Sequence, residues 1–297
     1  MIGRGTAASC TSAAVVAAVR AGGVIHFECG PRPVTIRMTA TAKVVNTSAE
    51  VVLDGGGLVT LDGEGRRRIL YMDTCDPAQV WTTPHCQDQA SPRLVIEHMA
   101  FRDGNSSGEL FDGGGGGAIF DRGGQLRIVD SVFTNNRCDR DGPDLGGGAV
   151  RALSQYDSRP VYVAESRFAG NACSNGGALS SIGVSWTVIG SEFVGNRAIG
   201  DGANPARAGT PGGGSGGAIY NDGDQMTLSI SGCVFLDNRA NEGGGAIFFV
   251  SDDRSGTMSI VHSTLERNRS AGFQSSGLPG IFFLGARPPT IEGSVLR

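Results

Sequence analysis

Residues 166–196 read SRFAGNACSNGGALSSIGVSWTVIGSEFVGN, and one phrase both opens and closes them: Ser166, Phe168 and Asn171 return as Ser191, Phe193 and Asn196. Between the two lie a Gly-Gly-Ala at 176–178, then Leu179, then Trp186 and Val188 alternating with other side chains. Alternation over so short a run is the signature of a strand with one face turned inward. The glycine pair marks a tight turn.

The same order is repeated along the chain. Gly-Gly-Ala recurs at 116–118, 147–149, 216–218 and 244–246, each time followed by Ile or Val, and a degenerate Pro-Gly-Ile stands at 279–281. The closing phrase recurs as Ser131, Phe133 and Asn136, as Cys233, Phe235 and Asn238, and as Ser263, Leu265 and Asn268, with Phe101 as an earlier partial copy. The asparagines at 136, 171, 196, 238 and 268 are 35, 25, 42 and 30 residues apart. The extra residues fall between the asparagine and the next Gly-Gly-Ala, as in 137–145 and 197–215. One edge therefore carries variable loops.

A unit of short strands cannot bury its apolar face alone, so the copies must stack. The predicted fold is all-β: a single-stranded right-handed parallel β-helix spanning 1–297 as one domain, with coils over 24–285 and a C-terminal end at 286–297. Equivalent residues then repeat about every 4.8 Å, so the phenylalanines, serines and asparagines each form a column. Residues 1–23 are expected to cap the first coil, with a short helix in TSAAVVAAVRA (11–21) capped by Thr11 and ended by Gly22.

Composition agrees. Glycine numbers 48 of 297, about twice the ordinary usage of roughly 7 %, without a collagen period. Net charge is −4, and Lys43 is the only lysine among 25 basic residues, the rest being arginine. This balance excludes a generic nucleic-acid binder, and no apolar run is long enough to cross a membrane as a helix.

The seven cysteines lack zinc-site spacing. Cys138 and Cys173 directly follow the arginine column described below, on neighbouring coils, and stacked Cα atoms at that spacing fall within disulfide range. The expected bridges are Cys138–Cys173, Cys10–Cys29 joining the cap to the first strand, and Cys75–Cys86 closing a loop. Cys233 occupies a serine position and is expected to be a free, inward thiol.

The pairing of GGA(I/V/L) with FxxN over about 93–285 resembles the repeats of the chlamydial polymorphic membrane proteins, and more widely the secreted bacterial β-helix proteins of the pectin-lyase-like superfamily. That resemblance implies a secreted or cell-surface protein and, in the chlamydial members, adhesion or passage through the envelope. A membrane barrel of the chlamydial kind is not expected in this chain. Enzymes of the superfamily use clustered carboxylates, calcium and a basic residue. Their hydrolase signature is missing here, Lys43 is a poor base, and Asp252 and Asp253 lack a matching histidine phrase.

Two columns carry the functional expectation. After the asparagines come Arg137, Ala172, Arg197, Arg239 and Arg269. Guanidinium groups at that spacing repel unless fanned out or neutralised, either by Glu242, Glu266 and loop aspartates or by an anionic ligand. After the inward residue that follows each Gly-Gly-Ala come Phe120, Arg151, Ser180, Tyr220 and Phe248, continued by Phe282. These should point outward, where rings suit stacking on sugars, or else lie under the inserted loops as a satellite cluster. Asp139, Asp141 and Asp144 are weak candidates for calcium, with no complete calcium loop around them; no other cofactor is expected. His26, His85, His98 and His262 show no metal spacing. The leading expectation is a binding or adhesive protein, monomeric, that recognises a carbohydrate or another surface through its loop-bearing face. The alternatives are a polysaccharide lyase or glycoside hydrolase acting on an acidic polysaccharide, and a structural spacer.

Overall fold

A computed structural model describes residues 1–110 and 112–297. Among the described residues its strands form three sheets of 17, eight and four strands; the two larger sheets run through the stack, and the four-stranded one is confined to the coils that contain Ala172–Cys173, Arg197–Ala198, Arg239–Ala240 and Arg269–Ser270. Trp186–Ile189 and Glu192–Val194 lie in the largest sheet, Arg197–Ala198 in the smallest and Ile219–Gly223 in the eight-stranded one. All the strand pairings between coils are parallel, with Phe168 opposite Phe193, Phe193 opposite Phe235 and Val188 opposite Ile230. This is a parallel β-helix.

The two glycines of the repeat do different work. The first adopts a left-handed backbone, with φ of 51° at Gly176 and 71° at Gly216, a conformation that side-chain-bearing residues resist. The second faces the next coil: a Cβ on Gly217 would meet the Gly245 carbonyl oxygen at 2.0 Å. The inward residues beyond, Ile119, Val150, Leu179, Ile219 and Ile247, are fully buried.

Three ladders hold the coils in register. The rings of Phe101, Phe133, Phe168, Phe193 and Phe235 stack nearly parallel at 4.6–5.1 Å. The side-chain oxygens of Asn171, Asn196, Asn238 and Asn268 each accept two bonds from the preceding coil, and that of Asn136 accepts one, from Gly104 N–H. Asn171, for example, donates through its backbone N–H and its amide to Asn196 Oδ1, at 3.1 and 2.9 Å, while its amide also reaches the Phe133 carbonyl at 3.0 Å. A third ladder runs through the serine hydroxyls, where Ser131 N–H donates to Ser166 Oγ and Ser166 N–H to Ser191 Oγ, both at 3.1 Å. Cys233 takes its place in that series: its Sγ accepts from Ser191 N–H at 3.4 Å, and its own N–H donates to Ser263 Oγ at 3.0 Å. Buried groups so paired avoid the cost of an unmade hydrogen bond.

The helix Ser12–Ala21 covers the first coils with Val15 and Val19, and Thr11 Oγ1 accepts from Ala14 N–H at 3.3 Å. The region before the coils is more than a helix, because Ile2–Gly3 adds a strand beside Phe27 and Glu28. At the other end the stack runs past 285, with Thr290–Glu292 and Val295–Leu296 paired to the preceding coil. Disulfides join Cys10 to Cys29, Cys75 to Cys86 and Cys138 to Cys173, the last with Cα atoms 4.8 Å apart. Cys233 is free and buried, and burial pushes its thiol pKa up.

Candidate functional site: an arginine ladder beside a covered aromatic face

The smallest sheet is built from two-residue strands, so one side chain of each points out and the next points in. Arg137 bridges to Ala172, Ala172 pairs with Arg197, Arg197 with Arg239 and Arg239 with Arg269. The arginines are exposed, while Cys138, Cys173, Ala198 and Ala240 behind them are buried. Among the described residues, no side-chain hydrogen bond or ion pair engages Arg197, Arg239 or Arg269.

The carboxylates expected to neutralise them are occupied elsewhere. Glu242 is gripped by both guanidinium nitrogens of Arg207 at 2.6 and 2.7 Å and by the Gly202 amide, which holds its pKa down. Glu266 is shared between Arg267 at 2.9 Å and Arg297 at 3.3 Å. Asp237 hydrogen-bonds Arg267, and that contact, together with the field of Arg239 and Arg269, holds its carboxyl below the usual range. Neighbouring exposed charges at ladder spacing repel by about 1 kcal/mol in water, which favours any anion laid along them.

Arg137, at the near end of the ladder, donates to the Gly65 carbonyl at 3.2 Å and borders a groove of about 650 Å³ with Asp62, Glu64, Arg102 and Asn135. Charges inside that groove largely pair with one another, as Arg102 with Asp62 at 2.7 Å and Arg37 with Glu64 at 3.9 Å.

The aromatic column departs from an exposed stacking surface. Phe120, Arg151, Ser180, Tyr220 and Phe248 do stand in register outside the coil interior, but none exceeds 3 % exposure. Their rings stack on one another, Tyr220 on Phe248 at 4.9 Å and Phe248 on Phe282 at 5.2 Å. Side chains from other segments cover them: Arg68 lies over Phe120 at 4.8 Å, Phe273 meets Phe248 edge-on at 6.4 Å, and an insertion reaches Tyr220. Asn204, in the 197–215 insertion, donates to Tyr220 Oη at 2.9 Å, to Asp222 at 3.1 Å and to Asp144 at 3.0 Å. Sugar stacking on Phe120, Tyr220 or Phe248 is thereby blocked.

Arg151 is buried in the same layer, bonded to Ser180 Oγ at 2.6 Å and to the Asp144 carbonyl. Burial without a direct carboxylate partner pulls its pKa down to about 10. It is a structural cation under a loop and cannot meet a ligand.

The calcium candidates are not gathered. Asp139 accepts from the Gly108 amide at 3.0 Å, Asp144 from Asn204, and Asp141 lies 4.0 Å from Arg140. Among the described residues, no three carboxylate, histidine or cysteine side chains are placed to hold a metal ion.

Sequence reasoning missed the start of the covered column. Lys43 pairs with Tyr71 and Tyr71 with Phe120, with Arg68 stacked 4.8 Å from the Phe120 ring and bonded to Asp112 at 2.6 Å. No Gly-Gly-Ala precedes these strands, so no motif marks them. It also missed Asp121, a fully buried carboxyl in the inward column between Met72 and Ala152. Burial raises its pKa well above the ordinary 3.8 despite a bond from Gln155.

Residues 232–250 match the Chlamydia polymorphic membrane protein (Chlamydia_PMP) repeat. The matched segment holds Cys233, Phe235 and Asn238 of the three ladders and the Gly-Gly-Ala of 244–246. No curated protein and no solved structure matches.

Proposed function

We propose that this is a surface-associated bacterial β-helix that binds an anionic glycan along its arginine ladder. One observation carries the reading: Arg197, Arg239 and Arg269 stand exposed on consecutive coils with no ion pair among the described residues. A row of like charges is retained at a cost in repulsion, and a linear ligand bearing carboxylates relieves it. The match to a membrane-protein repeat supports a place at the cell surface, and three disulfides suit an oxidising compartment. The binding edge is the one from which the loops are inserted.

The test is retention on immobilised polyuronate and on a neutral glycan across a salt series, for the wild type and for the triple variant R197A/R239A/R269A. The expected result is salt-sensitive retention on the polyuronate alone, lost in the triple variant. Equal retention by the variant, or retention on the neutral glycan only, would overturn the reading. Release of unsaturated or new reducing ends would replace it with a lyase or hydrolase.

A further inference from the structure

On the outer face of the largest sheet, away from the ladder strands, a second groove of about 400 Å³ opens across neighbouring coils. That volume lies within the range of small-ligand sites, about 300–1,000 Å³. Its centre is the ring of Tyr162, half-buried, beside Pro160. Arg127, the register partner of Tyr162 on the preceding coil, places its guanidinium 5.2 Å from that ring. Among the described residues, the Tyr162 hydroxyl has no hydrogen-bond partner.

The second cation, Arg159, is held by neutral groups. Its Nη1 donates to Gln125 Oε1 at 3.3 Å, and Gln125 is in turn fixed by donating to the Ala90 carbonyl at 2.8 Å. The guanidinium of Arg159 also lies 5.5 Å from the Tyr156 ring. Glu50, the one carboxylate among the described residues that line the groove, pairs with Arg93 at 3.3 Å. Arg159 is therefore positioned through Gln125 and Arg127 rests against the Tyr162 ring, and neither guanidinium has an ion-pair partner among the described residues.

We propose that this groove is a binding site for an acidic pyranose, a uronate within a short oligosaccharide. The carboxylate meets Arg127 and Arg159, where charge-assisted hydrogen bonds are the strong ones. The C–H face of the sugar packs on Tyr162 and Pro160, and a sugar hydroxyl takes up the Tyr162 hydroxyl. Pre-positioned partners lower the ordering cost of binding. The ligand class is that read for the ladder, but the residues are wholly different.

The probe is a galacturonate trisaccharide, with a neutral galactose trisaccharide as control, titrated calorimetrically into the full chain. Binding of the acidic sugar alone is expected, weakened roughly ten-fold or more in R127A/R159A, as loss of charge-assisted bonds implies. Y162A should weaken it as well, and Y162F less. Q125E supplies a second variant: a carboxylate beside Arg159 neutralises it without removing bulk and should also weaken binding. Melting curves establish that each variant is folded. Unchanged affinity in R127A/R159A and in Q125E would overturn the groove. If the ladder triple variant loses the trisaccharide while the groove variants keep it, the groove proposal falls and the ladder reading stands. If the ladder variant still binds the trisaccharide but no longer binds the polymer, both stand.

Discussion

The stretch of each coil that carries the Phe, Ser and Asn columns and the sheet that carries Phe120, Tyr220 and Phe248 obey the same stacking rule, yet they differ in what surrounds them. At the first, each coil supplies one residue to each column, and neighbouring coils satisfy it completely: Phe193 lies between Phe168 and Phe235, and Asn196 between Asn171 and Asn238. At the second, the columns face outward and are closed by segments with no repeat of their own, such as the 197–215 insertion, which sets Asn204 on Tyr220 and is itself anchored by Arg207 on Glu242. Register alone settles which residues form a column. Burial of an outward column is settled by the loops.

The largest effect expected is at Phe193. Replacing it by Ala removes the ring from a stack closed on both sides and should cost about 4–5 kcal/mol, at the upper end for such a truncation. Chemical denaturation with an unchanged m-value measures it. A variant as stable as the parent would mean that the phenylalanine column is not closed by its neighbouring coils. Next comes Phe248→Ala, which should cost about 3 kcal/mol because the ring is buried between Tyr220 and Phe282. A loss under about 1 kcal/mol, the size usual for surface changes, would place the ring in solvent and dissolve the contrast between the two regions.

A smaller and pH-dependent effect is expected at Asp121, on the inner side of the covered sheet. Burial lets the folded protein hold this proton to a higher pH than the unfolded chain. Between the ordinary pKa of 3.8 and the raised folded value the native state binds more protons, so this site's contribution to stability falls as pH rises. Asp121→Asn should melt like the parent near about pH 3 and above it near about pH 7. Melting curves that differ by the same amount at both values would place the carboxyl in water. The smallest effect is expected for Cys233→Ser. Serine is the ordinary occupant of that column and offers the same acceptor to Ser191 N–H, so stability should change by less than about 1 kcal/mol.

These contrasts also explain what could be read from the chain. The ladders were legible because Ser, Phe and Asn keep a fixed spacing from one another, and because a stack turns that spacing into contact. The position of Cys233 among serines, and of Cys138 and Cys173 in adjacent coils, followed from the same alignment. Which of the two alternatives holds for Phe120, Tyr220 and Phe248, an open stacking surface or a covered cluster, was not legible. It depends on contacts such as Asn204 with Tyr220, Arg68 with Phe120 and Phe273 with Phe248, made by residues that belong to no repeated phrase. The groove at Tyr162 escaped for a related reason: Arg127, Arg159 and Gln125 belong to no column of like residues. The unpaired arginines could be aligned from sequence, but only the structure shows Glu242 and Glu266 already engaged.

The asparagine ladder has a direction: every side-chain oxygen accepts from the coil before it, and every amide reaches back to a carbonyl of an earlier coil. Each asparagine therefore presents forward the same socket that it fills behind. A segment running from just after one asparagine through the next, such as the 25-residue step from Asn171 to Asn196, is a self-consistent module for this ladder. Duplication or loss of such a module leaves the ladder chemistry at the new junction unchanged, so a protein of this kind can grow or shorten by whole turns. The residue that follows each asparagine is copied with the module, so duplicating a segment that begins with arginine, such as 197–238, would lengthen the charged track by one, whereas the segment that begins at Ala172 would interrupt it.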